Sequence, residues 1–151
     1  PIPLGGPIPR TYSNGLLVVG DAASQVKPTT GGGVVVGLLC SKVAGEVAYE
    51  AVRNNNFSET FLSRYQSRWK RIVGFDLTVM RHARRLLDRL SDSKIDRLVS
   101  LCARLEINRI LEEAGDLDFQ GRSLIRMVRH PAVPILALYF LSSLTSQYQP
   151  L

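Results

Sequence analysis

Cysteine is almost absent from this chain: Cys40 and Cys102 are the only 2 among 151 residues. A pair so far apart excludes a disulfide framework and a cysteine-ligated zinc site, and it points to a reducing, cytoplasmic setting. No apolar run reaches the roughly 18 residues that a membrane-spanning helix needs. The basic-then-apolar order of a signal peptide is missing as well. So are phosphate loops: no GxxxxGK[ST] occurs, and Gly31 and Gly33 are followed by Val36 where GxGxxG requires glycine. Acid is the minority charge, with 13 Asp+Glu against 19 Lys+Arg for a net +6, and 15 of the cations are Arg. Arginine suits phosphate and carboxylate recognition, so an anionic partner is expected. What remains, 45% hydrophobic and 21% charged, is enough for a packed core and too little charge for a disordered tail.

Residues 1 to 15 are rich in Gly and Pro, and Ser13-Asn14-Gly15 signals a turn into Leu16-Leu17-Val18-Val19, which reads as a buried strand ending at Gly20-Asp21. Everything beyond residue 33 reads as helix. Partners for that strand are therefore expected from residues upstream of Pro1 or from another chain, since a lone strand leaves its backbone groups unsatisfied. With no Met at its start, the sequence reads as the C-terminal part of a longer polypeptide. The expected fold is α/β, mostly helical over the residues given.

A polar loop, 21–32, leads into the small and apolar residues 33–48, which suit a buried helix ending before Asn54-Asn55-Asn56. Ser58 then caps a long helix whose apolar positions run through Phe61, Tyr65, Trp69, Ile72, Val79, Ala83, Leu87 and Leu90, with Gly74 as the weak point where it bends. Lys70, Arg71, Arg81, Arg84, Arg85 and Arg89 lie on its other side. Residues 64–89 hold eight cations and two acids and so carry the whole net charge. Further helices are expected at 93–104, 106–114 and 122–129. They precede an apolar segment, 132–144, that is too short to span a bilayer and suits a buried or an interfacial helix.

The chemistry concentrates in the loop after the strand. Asp21 stands where the strand ends, at the open edge where α/β proteins bind ligands, and its carboxylate can accept hydrogen bonds from hydroxyls. Ala22 and Ala23 leave room for a ligand. Gly31, Gly32 and Gly33 let the backbone approach a planar group, and the start of the next helix offers unpaired N–H groups and positive dipole. Other features carry bland readings. Ser24-Gln25-Val26-Lys27 fits S-x-x-K without the SDN or KTG partners that would give it meaning. Cys40 reads as packing, Tyr65 and Trp69 as a core pair, and His82 and His130 as surface or capping residues.

Leu17-Val18-Val19-Gly20-Asp21-Ala22-Ala23 is similar to the second FAD motif of the flavoproteins that include the aromatic hydroxylases, and Pro28-x-x-Gly31-x-Gly33 is similar to their isoalloxazine-side loop. Val26-Lys27-Pro28-Thr29-Thr30-Gly31-Gly32-Gly33 narrows the match, and the chain resembles the FAD-dependent geranylgeranyl reductases. Tyr65-x-x-x-Trp69 with Ile72-Val73-Gly74, and Asp118-Phe119, are weaker points of likeness. The resemblance implies the C-terminal part of an FAD/NAD(P)-binding Rossmann-like flavoprotein, with residues 1–56 finishing the FAD domain and 57–151 forming a helical region. It implies FAD contacts at Gly20, Asp21, Ala22, Pro28, Gly31, Gly32 and Gly33, with Asp21 on the ribityl chain, the glycines along the flavin ring and the helix start near flavin N1 and O2.

The implied reaction is saturation of isoprenoid C=C bonds in a prenyl diphosphate or geranylgeranylated lipid, in the cytoplasm or at its membrane face. NADPH and ferredoxin both stay open as reductant. The family's N-terminal βαβ unit with its GxGxxG is not in this sequence, so the chain alone is expected not to bind FAD. A flavin monooxygenase would share the loop, though Lys27-Pro28-Thr29-Thr30 and the lipid-like C-terminus argue against it. A basic helical module for membrane or RNA is the non-enzymatic alternative. No aromatics interleave the arginines at 81–89, so nucleic acid is not expected as a partner.

Overall fold

The structure, a computed structural model, describes residues 1–106 together with Pro134, Leu138 and Tyr139. They belong to two compact units, Pro1–His82 and Ala83–Leu151. The helices expected at 106–114 and 122–129, and most of the apolar segment 132–144, lie outside the described residues.

In the first unit the strand finds its partner locally, which corrects the expectation that none lay within the chain. β1 (Tyr12–Ser13) pairs antiparallel with β2 (Leu16–Leu17), Tyr12 opposite Leu17 and Ser13 opposite Leu16. The Asn14-Gly15 turn makes this possible, because a two-residue reversal closes with little loop entropy. The strand is also shorter and less buried than its composition suggests: Leu16 is 53% exposed, and Val18 and Val19 are half-buried. Among the described residues this ribbon is all of the β-structure.

Helix α1 (Val34–Arg53) buries Val36, Cys40, Val43, Ala44, Val47 and Ala51, steps of three and four that make one stripe. Its other side exposes Val34, Leu38, Tyr49 and Val52, so the helix expected to be buried is buried on one face. Helix α2 (Glu59–Trp69) starts as its cap signal predicts, with the Phe61 N–H donating to Ser58 Oγ at 3.3 Å. It packs on α1 and on the β1–β2 ribbon.

The long helix is then interrupted at its expected weak point. Lys70–Gly74 form a π-helical turn, and α3 (Phe75–Leu87) follows. The wider turn takes up extra residues, so the buried positions become Phe61, Tyr65, Trp69, Val73, Leu77 and Met80. Ile72, expected inside, is 37% exposed, and Val79 is half-buried. The apolar stripe has slipped by about one residue from the regular 3.6 period. In the second unit α4 (Asp92–Arg104) buries Leu98, and the Tyr139 hydroxyl donates to the Lys94 carbonyl at 2.7 Å.

Candidate functional site

Gly20–Ala23 make one turn of 3₁₀ helix after the ribbon, and Ser24 follows in the left-handed region at φ 52°. The turn is closed by Gln25 rather than by Asp21. Gly20 N–H donates to Gln25 Oε1 at 2.8 Å, and Gln25 N–H returns to Gly20 O at 3.0 Å. Gln25 is fully buried, and its Nε2 donates to the Tyr65 hydroxyl at 3.0 Å, which in turn donates to Val18 O at 3.1 Å. Burial pushes the Tyr65 hydroxyl up to about 12, so it stays a proton donor across the physiological range. One turn further along α2, Trp69 Nε1 donates to Thr11 Oγ1 at 3.0 Å, and Thr11 N–H donates to Gln66 Oε1 at 2.9 Å. α2 therefore clamps the strands and the loop that leaves them.

Freed from closing the turn, the Asp21 carboxylate is exposed and lies against Gly33 at the start of α1. A Cβ built on Gly33 would stand 3.0 Å from Asp21 Oδ1 and 3.3 Å from Val26 Cγ2. The loop between them folds back on itself, with Lys27 N–H to Gly32 O at 3.0 Å and Gly31 N–H to Lys27 O at 2.8 Å. Gly31 takes φ +75°, which an L side chain rarely adopts. A Cβ on Gly32 would stand 2.7 Å from the Lys27 Cε of a side chain that is itself buried. No side chain caps α1 at Gly33, and Val34 in its first turn is 78% exposed, so the helix start borders solvent.

The residues singled out in the sequence thus come together in one loop. Asp21 and Ala22 are exposed, Gly20 and Gly31 to Gly33 are half-buried, and Pro28 is buried beneath, where it shapes the loop and presents no surface; Ala23, expected to leave room for a ligand, is fully buried and packs inside instead. Gln25, Lys27 and the Tyr65 hydroxyl were not singled out as site residues. Their part depends on contacts such as Gln25 to Tyr65, 40 residues apart, for which no local signal exists. Cys40 is fully buried and its thiol is pushed up to about 12 by that burial, which leaves it unreactive.

A turn, an exposed acid and a bare glycine run meet in one strand-to-helix loop at the start of α1. No family model matches the chain. It is 42% identical over 120 residues to digeranylgeranylglycerophospholipid reductase 2 of Methanothermobacter thermautotrophicus, a match covering 74% of the chain and 31% of that protein. It is 34% identical over 139 residues to the digeranylgeranylglycerophospholipid reductase of Methanococcus vannielii, covering 91% of the chain and 33% of that protein. Among solved structures, a geranylgeranyl bacteriochlorophyll reductase-like protein from Thermoplasma acidophilum superposes with a TM-score of 0.61 at 28% identity, over 66% of the chain and 25% of that protein. Over most of its length the chain is thus similar to one part of these geranylgeranyl-lipid reductases. It spans about a third of the length of the curated relatives it matches, 31% and 33% for the two named.

Proposed function

We propose that this chain forms one wall of the cofactor site in an FAD-dependent geranylgeranyl reductase that saturates isoprenoid double bonds of a geranylgeranylated lipid or prenyl diphosphate. The observation that carries this is the exposed Asp21 carboxylate set against the bare Gly33 at the uncapped start of α1. These residues fit the cofactor: Asp21 offers acceptors to ribityl hydroxyls, Gly31 to Gly33 offer a surface without side chains, and the helix start offers N–H donors and positive dipole to an electron-rich ring edge. FAD, when bound, supplies the hydride that the alkene takes up.

The chain's own contribution is to hold that wall rigid. Gln25 and Tyr65 fix the turn from behind, Pro28 and Lys27 brace the glycine run, and Gly20 lies close enough to α1 that a Cβ on Gly37 would stand 3.9 Å from its Cα. In this proposal residues 1–56 complete the cofactor domain and 57–151 form the helical C-terminal region, whose first helix, α2, braces that domain from behind.

The relatives are named as reductases of a geranylgeranylated phospholipid, which favours a prenyl-lipid substrate over the aromatic one of a monooxygenase. A basic helical module would leave the loop unexplained. Among the described residues no helix is long and apolar enough to cross a membrane. In this reading a lipid substrate is met by peripheral contact on the cytoplasmic face, a compartment that the free Cys40 and Cys102 suit. Asp21→Asn in the complete protein tests the assignment. Flavin content is expected to fall about tenfold, the scale of a lost charge-assisted hydrogen bond, while the unfolding midpoint of the flavin-free protein holds. Full flavin content in that variant would count against Asp21.

A further inference from the structure

A second concavity lies away from the glycine loop, between the Pro7–Pro9 segment and the π-helical turn. Its volume is about 440 Å³. The polar lining comprises Lys70, Thr78 and Arg81, the apolar lining includes Ile8, Phe75 and Leu77, and among the described residues no acid lines it. Asp76, the acid nearest in sequence, is buried and is not part of that lining.

Arg81 is held unusually for a surface arginine. Its stem packs on bare backbone, since a Cβ on Gly6 would stand 2.7 Å from Arg81 Cδ, and its Nε is buried with no acceptor. With the stem and Nε fixed in this way, the guanidinium is held at the cleft wall, and the acceptor that suits it best is a carboxylate or phosphate oxygen. Lys70 supplies a second positive charge, its Nζ 5.9 Å from the centre of the Trp69 ring. Lys70, Gly74, Thr78 and Arg81 follow one another at helical spacing across the π-helical turn and line one concave side together with Phe75.

A phosphate alone would not fill the space. The volume falls within the roughly 300–1,000 Å³ of small-molecule sites, and half of the wall is apolar, with Phe75 53% exposed. We propose that this cleft seats the head of an anionic lipid, a phosphate at Lys70 and Arg81 with the start of the hydrocarbon chain along Ile8, Leu77 and Phe75. The choice of a lipid rests on the reductase proposal above, whereas the anion seat stands on the cleft itself.

Trp69 lines the cleft and is the one tryptophan of the chain, so its fluorescence reports occupancy. The 151-residue chain would be titrated with octyl phosphate below its micelle concentration, with octyl glucoside as the neutral match, and with inorganic diphosphate. Octyl phosphate is expected to give a saturable change, with octyl glucoside and diphosphate each about tenfold weaker or more. Lys70→Gln, a change at an exposed side chain, is expected to weaken octyl phosphate about tenfold, and Arg81→Lys less than Arg81→Gln, with circular dichroism confirming the fold of each.

Equal binding of octyl glucoside, or an unchanged Lys70→Gln, would overturn the anion seat. Diphosphate binding as tightly as octyl phosphate would assign the cleft to a free phosphate and overturn the lipid. Flavin content of the complete protein separates the two proposals: Lys70→Gln leaves it unchanged, and Asp21→Asn leaves octyl phosphate binding unchanged.

Discussion

Gly31, Gly32 and Gly33 look alike in the sequence and differ in what holds them. Gly31 is required by its backbone, at φ +75°, and Gly31→Ala is expected to cost about 1–2 kcal/mol in urea unfolding. Gly33 is required by its neighbours: Gly33→Ala pushes on Asp21 Oδ1 and Val26, so its expected signature is lost flavin in the complete protein with a smaller change in stability. Tyr65→Phe removes one hydroxyl that serves two partners, Gln25 Nε2 and Val18 O. Leaving the buried Gln25 amide and the part-buried Val18 carbonyl unmatched is expected to cost about 1–3 kcal/mol, read as a lower denaturant midpoint with an unchanged slope. Asp21 and the glycines were legible because their chemistry is local to a short loop. Gln25 was not, because its place is decided by Tyr65 and by the backbone of Gly20, which only the folded chain brings within reach.

At the scale of elements, helix starts and lengths followed from caps and periodicity, and phase did not. Ser58 sets the beginning of α2 and Asn54 follows the end of α1 as expected, while the π-helical turn at Lys70–Gly74 shifts the buried stripe from Ile72 to Val73. A regular period carries no trace of an inserted residue, and Gly74 announces only that the helix is weak there. The two main helices of the first unit are tied by a paired contact, Arg68 Nη1 and Nη2 to the two Glu50 oxygens at 2.7 and 2.9 Å. The Arg68 guanidinium holds the Glu50 carboxyl below its ordinary value, chiefly through that hydrogen bond.

A carboxyl whose pKa is lower in the folded than in the unfolded state adds stability above its unfolded value and loses it as the pH falls through the folded one. Glu50→Gln is therefore expected to lower the thermal midpoint at neutral pH. The gap from the parent should close as the pH drops below the usual carboxylate range. A gap that persisted unchanged in acid would mean that Glu50 acts through packing rather than charge.

For the molecule as a whole, what matters is what faces the start of α1 in the proposed cofactor site. The exposed Asp21, the glycine run and the apolar Val34 and Leu38 all border the uncapped start of α1, and the relatives that share this region are about three times as long, the chain matching 31% and 33% of the two named. Binding linkage turns this into a prediction. A ligand that binds the native state alone raises stability by RT ln(1 + [L]/Kd), about 2.7 kcal/mol at a hundredfold excess over Kd. FAD is expected to raise the midpoint of a protein of the relatives' length that contains this chain, and Asp21→Asn to shift that rise to higher flavin concentration. The same FAD should leave the midpoint of the isolated 151-residue chain in place, because one wall without its opposite cannot exclude water from a flavin. If the isolated chain gained stability with FAD and Asp21→Asn abolished the gain, these residues would hold the flavin unaided, and the division between a cofactor wall here and the rest of the site elsewhere would fall.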